Sequence, residues 1–416
     1  MHHITIKNFG PIEYFDSDIN QFTVLTGPQA GGKSTIAKAI YFFRTIKDEI
    51  RDLILKNIAP PLQDILPFSG SVFSYIIDKF NNLFGRHIHA DDFSLEYKYS
   101  DETYIKIYPS SNKYHSLKVS TNLNILLETY NKTGFTADDI STKLSALFQD
   151  DTKTVYILAG RSITSVLSSQ MAYMFISMDD KEKSLIDYSM LKYIELTRRI
   201  MAWFEKETPV LSDRNYLNKK IAEYYEKIIK GNYMVKNSQE YISINDGQLI
   251  PINFSSSGQQ EAVWILNFLN YYTVDEPKKI FLIVEEPESH LYPESQMYMT
   301  DALSLFINGG GNSGLITTHS PYILGELNNL ILCGQTAEKV GDENKVENET
   351  GIYKQTWIKK DTLLAFYIDN SKDKKAMTKS GLIKDELIDG ASYEINRRSD
   401  KLIELYHEND EDEENE

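Results

Sequence analysis

The sequence contains one cysteine, Cys333, among its 416 residues, so no disulfide can form within the chain. It lacks an apolar run long enough to cross a bilayer, and its N-terminus reads as a strand rather than as a signal peptide. Sustained heptads are also lacking, which excludes a long coiled coil. These absences predict a cytoplasmic protein with no membrane partner, and 41% hydrophobic residues are ample for a buried core.

Positive charge is scarce as well. The chain has 44 Lys and Arg residues against 60 Asp and Glu residues, for a net charge of −16. The last nine residues, 408–416, carry seven of the negative charges and predict a disordered acidic tail. Partner docking and mimicry of nucleic-acid charge are the alternatives for this tail. Because phosphate neutralisation requires clustered Lys and Arg, the acidic body gives only weak support to DNA as a partner.

A glycine-rich loop stands between a strand-like and a helix-like segment. Residues 27–34 (GPQAGGKS) fit G-x-x-x-x-G-K-[ST] at every fixed position, directly after the apolar, β-branched segment 22–26. In that context backbone N–H groups surround a β-phosphate, Lys33 reaches the β- and γ-phosphates, and Ser34 ligates Mg²⁺. A glycine turn that happens to precede Lys-Ser is the alternative, and the flanking elements argue against it. The predicted ATP-binding residues are Gly27, Pro28, Gln29, Ala30, Gly31, Gly32, Lys33, Ser34 and Thr35.

A second buried strand is predicted over residues 280–284, and it runs directly into Glu285 and Glu286. Carboxylates at the carboxyl end of such a strand lie in the crevice where open α/β sheets bind ligands. The two acids then divide the work, Glu285 serving Mg²⁺ and Glu286 acting as the general base for the attacking water. A solvated strand end is the alternative, since pairs of glutamates are common on surfaces.

Another buried strand, residues 314–318, also ends in polar side chains, among them His319. This histidine would contact the γ-phosphate or orient the water, which makes it a predicted catalytic residue together with Lys33 and Glu286. A lone histidine at a strand end is more often an ordinary polar group. His319 follows Glu285 by 34 residues, which leaves room for one helix between two neighbouring strands and favours the catalytic interpretation.

The segment 255–260 (SSSGQQ) lies between a predicted hairpin, 240–252, and the acidic strand. Its serines would cap the helix that follows and offer free N–H groups to an anion. An ordinary serine cap is the alternative. Because the glycine of this segment precedes Glu285 by 27 residues, we favour a phosphate contact. The predicted contacts are Ser256, Ser257, Gly258 and Gln259.

Together these motifs resemble the ABC-type ATPase heads of the chromosome-maintenance, RecF and OLD (overcoming lysogenization defect) group, which includes AAA_15-like and AAA_21-like domains. Residues 285–293 (EEPESHLYP) are closest to the OLD-like form E-E-P-E-x-H-L-H-P. The resemblance covers roughly residues 1–45 and 150–330. It implies an α/β fold: an ABC-ATPase head, a P-loop NTPase whose mixed sheet is flanked by helices. The serine at 257 and the glutamate at 285 depart from the commonest ABC pattern.

The resemblance also implies partners. In that family two heads sandwich two nucleotides, so a homodimer or higher homo-oligomer is expected, with Ser256 and Gly258 touching the γ-phosphate held by the other head. Residues 289–291 would lie at the seam. OLD-type nucleases carry a Toprim module after the head, and residues 333–416 show no Asp-x-Asp at a strand end. The implied function is an ATP-driven switch with a separate effector protein, such as a nuclease, in anti-phage defence. A RecF-like DNA clamp and a nucleotide-gated scaffold with little turnover are the alternatives.

The motifs divide the chain into five parts. The ATPase head is predicted over 1–45 and 150–335, with an inserted α+β lobe at 46–149 and a helical arm at 187–231 within the head. A C-terminal α/β extension covers 336–407, and the acidic tail covers 408–416. Arg161, after the predicted strand 154–158, resembles an arginine at the same place in OLD-like ATPases. More often such a residue only forms a structural ion pair.

Overall fold

The computed structural model describes most of the chain. The described residues are 2–58, 68–85, 91–110, 115–129, 136–166, 177, 187–206, 216–244, 247–274, 279–369, 372–388, 390, 393–394 and 396–402. The predicted acidic tail, 408–416, lies outside them, as does Asp246 in the predicted hairpin turn.

The strands and helices of these ranges follow one another in mixed order. The strands are β1 (His3–Phe9), β2 (Ile12–Asp18), β3 (Phe22–Thr26), β4 (Ser94–Lys98), β5 (Tyr104–Pro109), β6 (His115–Val119), β7 (Lys153–Ile157), β8 (Asn232–Lys236), β9 (Gln239–Ser243), β10 (Leu249–Pro251), β11 (Ile280–Glu285), β12 (Ser313–Thr318), β13 (Leu363–Asp369) and β14 (Lys372–Lys375). The helices are α1 (Lys33–Ile58), α2 (Phe68–Phe84), α3 (Thr121–Thr129), α4 (Ala137–Phe148), α5 (Ser162–Val166), α6 (Tyr188–Lys206), α7 (Tyr216–Ile229), α8 (Ser257–Val274), α9 (Pro293–Asn308), α10 (Pro321–Val340) and α11 (Glu343–Thr350). Across the described ranges, none of these helices combines the length and apolar character that crossing a bilayer requires.

A six-stranded sheet carries the predicted motifs. Its order is β14-β13-β3-β12-β11-β7, and every neighbouring pair is parallel except β13 and β14. All residues of β3 and β11 are buried, as expected for strands whose sequences are continuous apolar runs. The register pairs Glu285 with Thr317, and Thr317 with Leu25. The carboxyl ends of β11, β12 and β3 therefore meet at one edge, and the predicted α/β fold with a mixed sheet is confirmed.

A second, antiparallel sheet joins the N-terminus to the predicted inserted lobe. Its order is β2-β1-β4-β5-β6. Strand β1 lies between β2 and β4, with Ile4 opposite Tyr97, and β4 and β5 form an antiparallel hairpin. The lobe is thus built onto the first strand of the chain. A three-stranded sheet, β10-β9-β8, contains the predicted hairpin that precedes the 255–260 segment.

The C-terminal strand β13 lies beside the strand that leads into the glycine-rich loop. It pairs in parallel with β3, with Ala365 opposite Val24 and Tyr367 opposite Thr26. Strand β13 therefore extends the main sheet on the side of β3. The boundary between the head and the C-terminal extension at residue 336 stays a proposal. Strand β13 of the extension belongs to the same sheet as the strands of the head.

The two helices of the predicted arm, α6 and α7, are anchored to the core. Asp187, just before α6, forms an ion pair with Lys38 of α1, and the Tyr188 hydroxyl donates to Glu49 of α1 at 2.9 Å. Tyr225 of α7 is fully buried, and its hydroxyl donates to Asn267 of α8 at 2.8 Å. Helix α6 therefore contacts α1, which begins at the glycine-rich loop, and α7 contacts α8, which begins at the 255–260 segment.

Two carboxyl groups, that of the half-buried Asp301 in α9 and that of the buried Glu326 in α10, lie close together. Burial, followed by the neighbouring charge of Glu326, raises the pKa of Asp301 to about 8. A carboxyl with a raised pKa in the folded chain holds its proton more tightly there than when unfolded. The free energy of unfolding therefore falls as the pH rises from about 4 to about 8.

We predict that Asp301→Asn raises the melting temperature at about pH 8 and flattens its decline between about pH 5 and pH 8. The amide can donate to Glu326 without titrating, so the cost of ionising a buried group disappears. Thermal unfolding of both proteins across this pH range measures the effect. Glu338→Gln, at an exposed position of the same helix α10, is the matched control and should leave the pH dependence unchanged. Parallel melting curves for Asp301→Asn and the wild type would contradict the prediction.

Candidate functional site

The glycine-rich loop connects β3 to α1 with backbone that requires its glycines. Gly27 and Gly32 have φ angles of +135° and +105°, in the region that side chains disfavour. A Cβ at Gly27 would lie 2.2 Å from the carbonyl oxygen of Ile368 in β13, and one at Gly32 would lie 2.1 Å from Cδ1 of Ile12. The loop is therefore packed between the two sheets. Ser34 is exposed in the first turn of α1, followed by the half-buried Thr35, so the hydroxyl of Ser34 is accessible at the helix N-terminus.

Lys33 begins α1 and turns its side chain back over the loop. Its Nζ donates to the carbonyl oxygens of Gly27 at 3.0 Å and Pro28 at 2.7 Å, and the side chain is buried. The ammonium group thus lies within the curl of the loop, where the phosphates of a nucleotide would be held.

The ammonium group of Lys33 lies within electrostatic reach of three carboxylates. Burial lowers its pKa, and the negative charges of Glu286, Glu288 and Glu285 oppose that shift. Lysine and glutamates separated by about 250 residues in sequence are therefore brought to one edge of the sheet. The structure thus unites the first two predicted motifs.

Glu285 is the buried member of the acid pair. Its Oε2 accepts a hydrogen bond from the backbone N–H of Ala159 at 3.2 Å, while none of the described residues makes a hydrogen bond of normal geometry to the buried Oε1. The side chain of Tyr156 lies near this carboxylate. Burial is the main cause that raises the pKa of Tyr156, and the negative charge of Glu285 is the next. One carboxylate oxygen of Glu285 is therefore available for a further interaction.

The donor set fits Mg²⁺. Oxygen atoms are the ligands that Mg²⁺ prefers, and protein sites commonly contribute only one or two of them beside phosphate oxygens and waters. Ser34 Oγ and Glu285 Oε1 are such oxygens, on the two motifs that meet at the sheet edge. No cluster of three or more His, Cys, Asp or Glu side chains able to hold a metal occurs among the described residues.

Glu286 is the more accessible acid. Its side chain is 38% exposed, and its Oε1 lies 3.6 Å from Nε2 of His319. Its backbone has a positive φ of 43°, and its N–H donates to the Thr317 carbonyl oxygen at 2.9 Å. The side chain of Ser289 also approaches the carboxylate, with Oγ 3.5 Å from Oε2. The structure thus brings together Glu286 and His319, a carboxylate and an imidazole that can both reach solvent.

Glu288 holds the backbone of the histidine segment, a role that we did not predict. Its Oε1 accepts hydrogen bonds from the Thr318 hydroxyl at 2.8 Å and from the N–H of His319 at 2.6 Å. Burial raises the pKa of Glu288, which also lies near Glu286. In the sequence, Glu288 stands out only as the last acid of the Glu-Glu-Pro-Glu run. That position does not reveal that the side chain binds Thr318 and the backbone of His319.

The predicted phosphate-contact segment caps α8. The N–H of Ser256 donates to Oε1 of Gln259 at 3.1 Å, and the N–H of Gln259 donates to Ser256 Oγ at 3.3 Å, which is a reciprocal cap. Ser256 and Ser257 are exposed. In the described ranges, no hydrogen bond or ion pair connects these residues with Lys33, Glu286 or His319 in the same chain. Within one chain the segment therefore makes no direct polar contact with those three side chains.

Gly258 touches the loop that was predicted to lie at a dimer seam. A Cβ at Gly258 would lie 2.6 Å from the carbonyl oxygen of His290, whose φ is 58°. A large exposed aromatic side chain lies close in sequence to each partner of this contact. Phe254, near Gly258, is 78% exposed, and Tyr292, near His290, is 75% exposed. Tyr322, three residues after His319, is 50% exposed. Exposed aromatic residues thus accompany the 255–260 segment, the 285–293 motif and the histidine motif.

Comparison with known proteins identifies the domain type. The family model described as AAA ATPase domain matches residues 1–324. Solved structures that resemble the chain include an Smc head bound to the C-terminal winged-helix domain of ScpA, with 12% identity over 90% of this chain and 97% of that chain and a TM-score of 0.43. The SMC head domain from Thermotoga maritima has 10% identity over 90% and 98% of the two chains and a TM-score of 0.39. No curated protein matches the chain.

Proposed function

The chain belongs to the AAA ATPase domain family, and on this premise we propose that it binds ATP with Mg²⁺ and hydrolyses the ATP to ADP and phosphate. The observation that carries the proposal is the meeting of three motifs at the carboxyl ends of β3, β11 and β12. Lys33 lies in the field of three glutamates there, and the imidazole of His319 lies 3.6 Å from the Glu286 carboxylate. Phosphate-binding loops and general bases act at such sheet edges.

Different side chains would bind the phosphates, hold the metal and accept the proton of the attacking water. Lys33 and the loop N–H groups bind the β- and γ-phosphates, while Ser34 and Glu285 would hold Mg²⁺, which would neutralise phosphate charge. Glu286, exposed and beside His319, accepts the proton of the attacking water. His319 contacts the γ-phosphate or orients that water from the neighbouring strand. Glu288 fixes the position of the histidine through its backbone N–H.

We further propose that the site is completed by a second copy of this chain. Ser256 and Ser257 are exposed where α8 begins, and an anion is favoured at a helix N-terminus. The adjacent Phe254 and Tyr292 expose large aromatic surfaces, which are typical of association sites. A homodimer or higher homo-oligomer with ATP between its subunits would use these features together.

A switch that acts through a separate effector protein, as in anti-phage defence, is the biological role that we propose for this ATPase. Its support is the resemblance of the four motifs to those of OLD-like ATPases. Affinity purification of Glu286→Gln with ATP, followed by identification of the bound proteins, tests this role. Recovery of no protein other than the chain itself would favour the scaffold alternative.

A DNA clamp is the second candidate, favoured by one observation on the five-stranded sheet. Lys106 of β5 lies directly opposite Lys118 of β6, an arrangement of like charges that destabilises a sheet. Lys98 is exposed on the same face, and Glu96 is the carboxylate that pairs with both Lys98 and Lys106. DNA-stimulated ATP hydrolysis with a steep salt dependence would favour the clamp over the switch.

Linked heterodimers test whether the site is completed between chains. With Lys33→Ala in one chain and Ser256→Arg in the other, one of the two shared sites keeps both an intact loop and an intact α8 N-terminus. We expect partial ATPase activity, at most about half of that of a linked wild-type dimer, because the second site carries both changes. We choose Ser256 rather than Gly258 because a side chain at Gly258 would collide with His290 within its own chain.

The matched control carries the same two changes on one chain of the linked dimer. If sites are shared, this arrangement leaves no intact site and should be inactive, since each site then has one defective half. If each chain completes its own site, the outcome reverses, and only the control remains active. Steady-state phosphate release from the two linked proteins therefore decides between the two arrangements.

A further inference from the structure

A fully buried arginine lies behind the acid pair. Arg161 follows β7 directly before α5, and its side chain is 0% exposed. Its guanidinium group donates to the carbonyl oxygens of both acids, with Nη1 2.8 Å from Glu285 O and Nη2 3.0 Å from Glu286 O. Nη1 also donates to Leu158 O at 3.2 Å. One side chain therefore holds the backbone of the two residues on which the proposed reaction depends.

The other edge of the guanidinium group faces α8. Nε donates to the carbonyl oxygen of Glu261 at 3.0 Å and lies 3.3 Å from the Glu261 carboxylate, which is 1% exposed. The carboxylate also accepts a hydrogen bond from the N–H of Ser162 at 3.2 Å. Glu261 lies one turn after Ser257, where α8 begins. Arg161 thus connects the acid pair with the helix whose exposed N-terminus is the proposed phosphate contact.

Stability alone is a poor reason for this arrangement. A buried ion pair often contributes no more to stability than well-packed apolar side chains of similar volume, because both charges lose their hydration. Glu286 has a positive φ of 43°, and a non-glycine residue keeps such a backbone only where its surroundings enforce it. The hydrogen bond from Arg161 to the carbonyl oxygen of Glu286 is one of the contacts that enforce it.

We propose that Arg161 is a positioning residue for Glu286, and that through Glu261 it makes the position of the general base depend on the position of α8. The proposal rests on the proposed ATPase function and adds regulation of the same site. When the N-terminus of α8 is drawn onto a γ-phosphate, Glu261 moves with its helix. Arg161 then carries this displacement to the backbone of Glu285 and Glu286.

The test replaces the ion pair by apolar side chains of similar size, Arg161→Met with Glu261→Leu, so that no lone charge remains buried. We expect the double variant to melt near the wild-type temperature and to bind a non-hydrolysable ATP analogue within about threefold of wild type. Its kcat should fall about 100-fold, the loss typical of a misplaced catalytic group. A merely structural role would instead lower the melting temperature and leave kcat per folded molecule unchanged.

A second buried ion pair provides the matched control. Arg44 of α1 and Asp150 lie 3.0 Å apart, are both buried, and contact neither acid of the site. Arg44→Met with Asp150→Leu should change stability at most and keep kcat near that of the wild type. If this control lost as much kcat as the Arg161 variant, the loss would reflect general disturbance of the core, and the proposal would be wrong.

Arg161→Lys keeps the test decisive if the double variant does not fold. Lysine preserves the charge opposite Glu261 but lacks the planar fork that reaches two carbonyl groups, so kcat should fall at least about tenfold with ATP binding retained. Near-normal kcat in the lysine variant would overturn the proposal. A wild-type chain that hydrolyses no ATP would overturn the proposed function itself, which separates the two failures.

The link to α8 has its own measurement, a double-mutant cycle with Ser256→Ala. If α8 acts on Glu286 through Arg161, the fold-loss in kcat caused by Ser256→Ala should be smaller in the Arg161→Met, Glu261→Leu background than in the wild type. Equal fold-losses in the two backgrounds would show that the signal does not pass through Arg161.

Discussion

Lys33→Ala is expected to abolish measurable ATP binding, with a Kd raised at least about 100-fold, which corresponds to roughly 2.7 kcal/mol. The ammonium group is the positive charge placed inside the glycine-rich loop, and it lies in the field of Glu285, Glu286 and Glu288. Without it, the β- and γ-phosphates would meet these carboxylates with less compensating charge. Titration with a fluorescent ATP analogue measures the loss directly.

Lys38→Ala is the matched control for this change. Lys38 lies five residues further along α1 and forms a partly exposed ion pair with Asp187. Its loss should leave the Kd for ATP within about threefold of wild type, roughly 0.6 kcal/mol. If Lys33→Ala bound ATP as well as this control, the assignment of the phosphate loop would be wrong.

Glu286→Gln is expected to bind ATP with Mg²⁺ normally while its kcat falls by about two to four orders of magnitude, the usual contribution of a general base. The amide preserves the size of the side chain and its approach to His319 but cannot accept a proton from water. Because ATP would persist, we also expect a dimer or higher oligomer to accumulate. Phosphate release measures the first effect, and light scattering with and without ATP measures the second.

Two further glutamates make the assignment of roles specific. Glu294→Gln, at an exposed position of α9, should keep the wild-type kcat. Glu285→Gln should instead weaken the dependence of ATP binding on Mg²⁺, since the buried Oε1 of Glu285 has no hydrogen bond of normal geometry to any described residue. If Glu286→Gln turned over ATP normally while Glu285→Gln alone was inactive, the roles of the two acids would have to be exchanged.

The main-sheet strands around the site could be predicted because their signal is local. Strands β3, β11 and β12 are buried on both faces, so each one reads as an uninterrupted apolar run that ends in polar residues. The fixed spacing of glycines and lysine in 27–34 is likewise a property of one short loop. Patterns of this kind can be read from a short stretch of sequence because they do not depend on contacts with distant residues.

Contacts between distant segments could not be predicted in the same way. Glu288 binds the backbone N–H of His319, and Arg161 binds the backbone carbonyl groups of Glu285 and Glu286. A backbone partner leaves no trace in residue identity, so neither pairing has a pattern that a reader of the sequence could find. The same holds for β13, which was assigned to a C-terminal extension and pairs with β3 in the main sheet.

The sequence by itself determined the chemical inventory of this protein: a glycine-rich loop that ends in Lys-Ser, an acid pair at a strand end, a histidine after the next strand, and a capped helix start. Only the tertiary structure decided which of these meet within one chain. Lys33, Glu286 and His319 meet because parallel strands align their carboxyl ends, whereas Ser256 makes no hydrogen bond or ion pair with them in the described residues. The physical reason is that hydrophobic runs specify a strand locally, while strand order and buried hydrogen bonds follow from packing that the whole chain must satisfy at once.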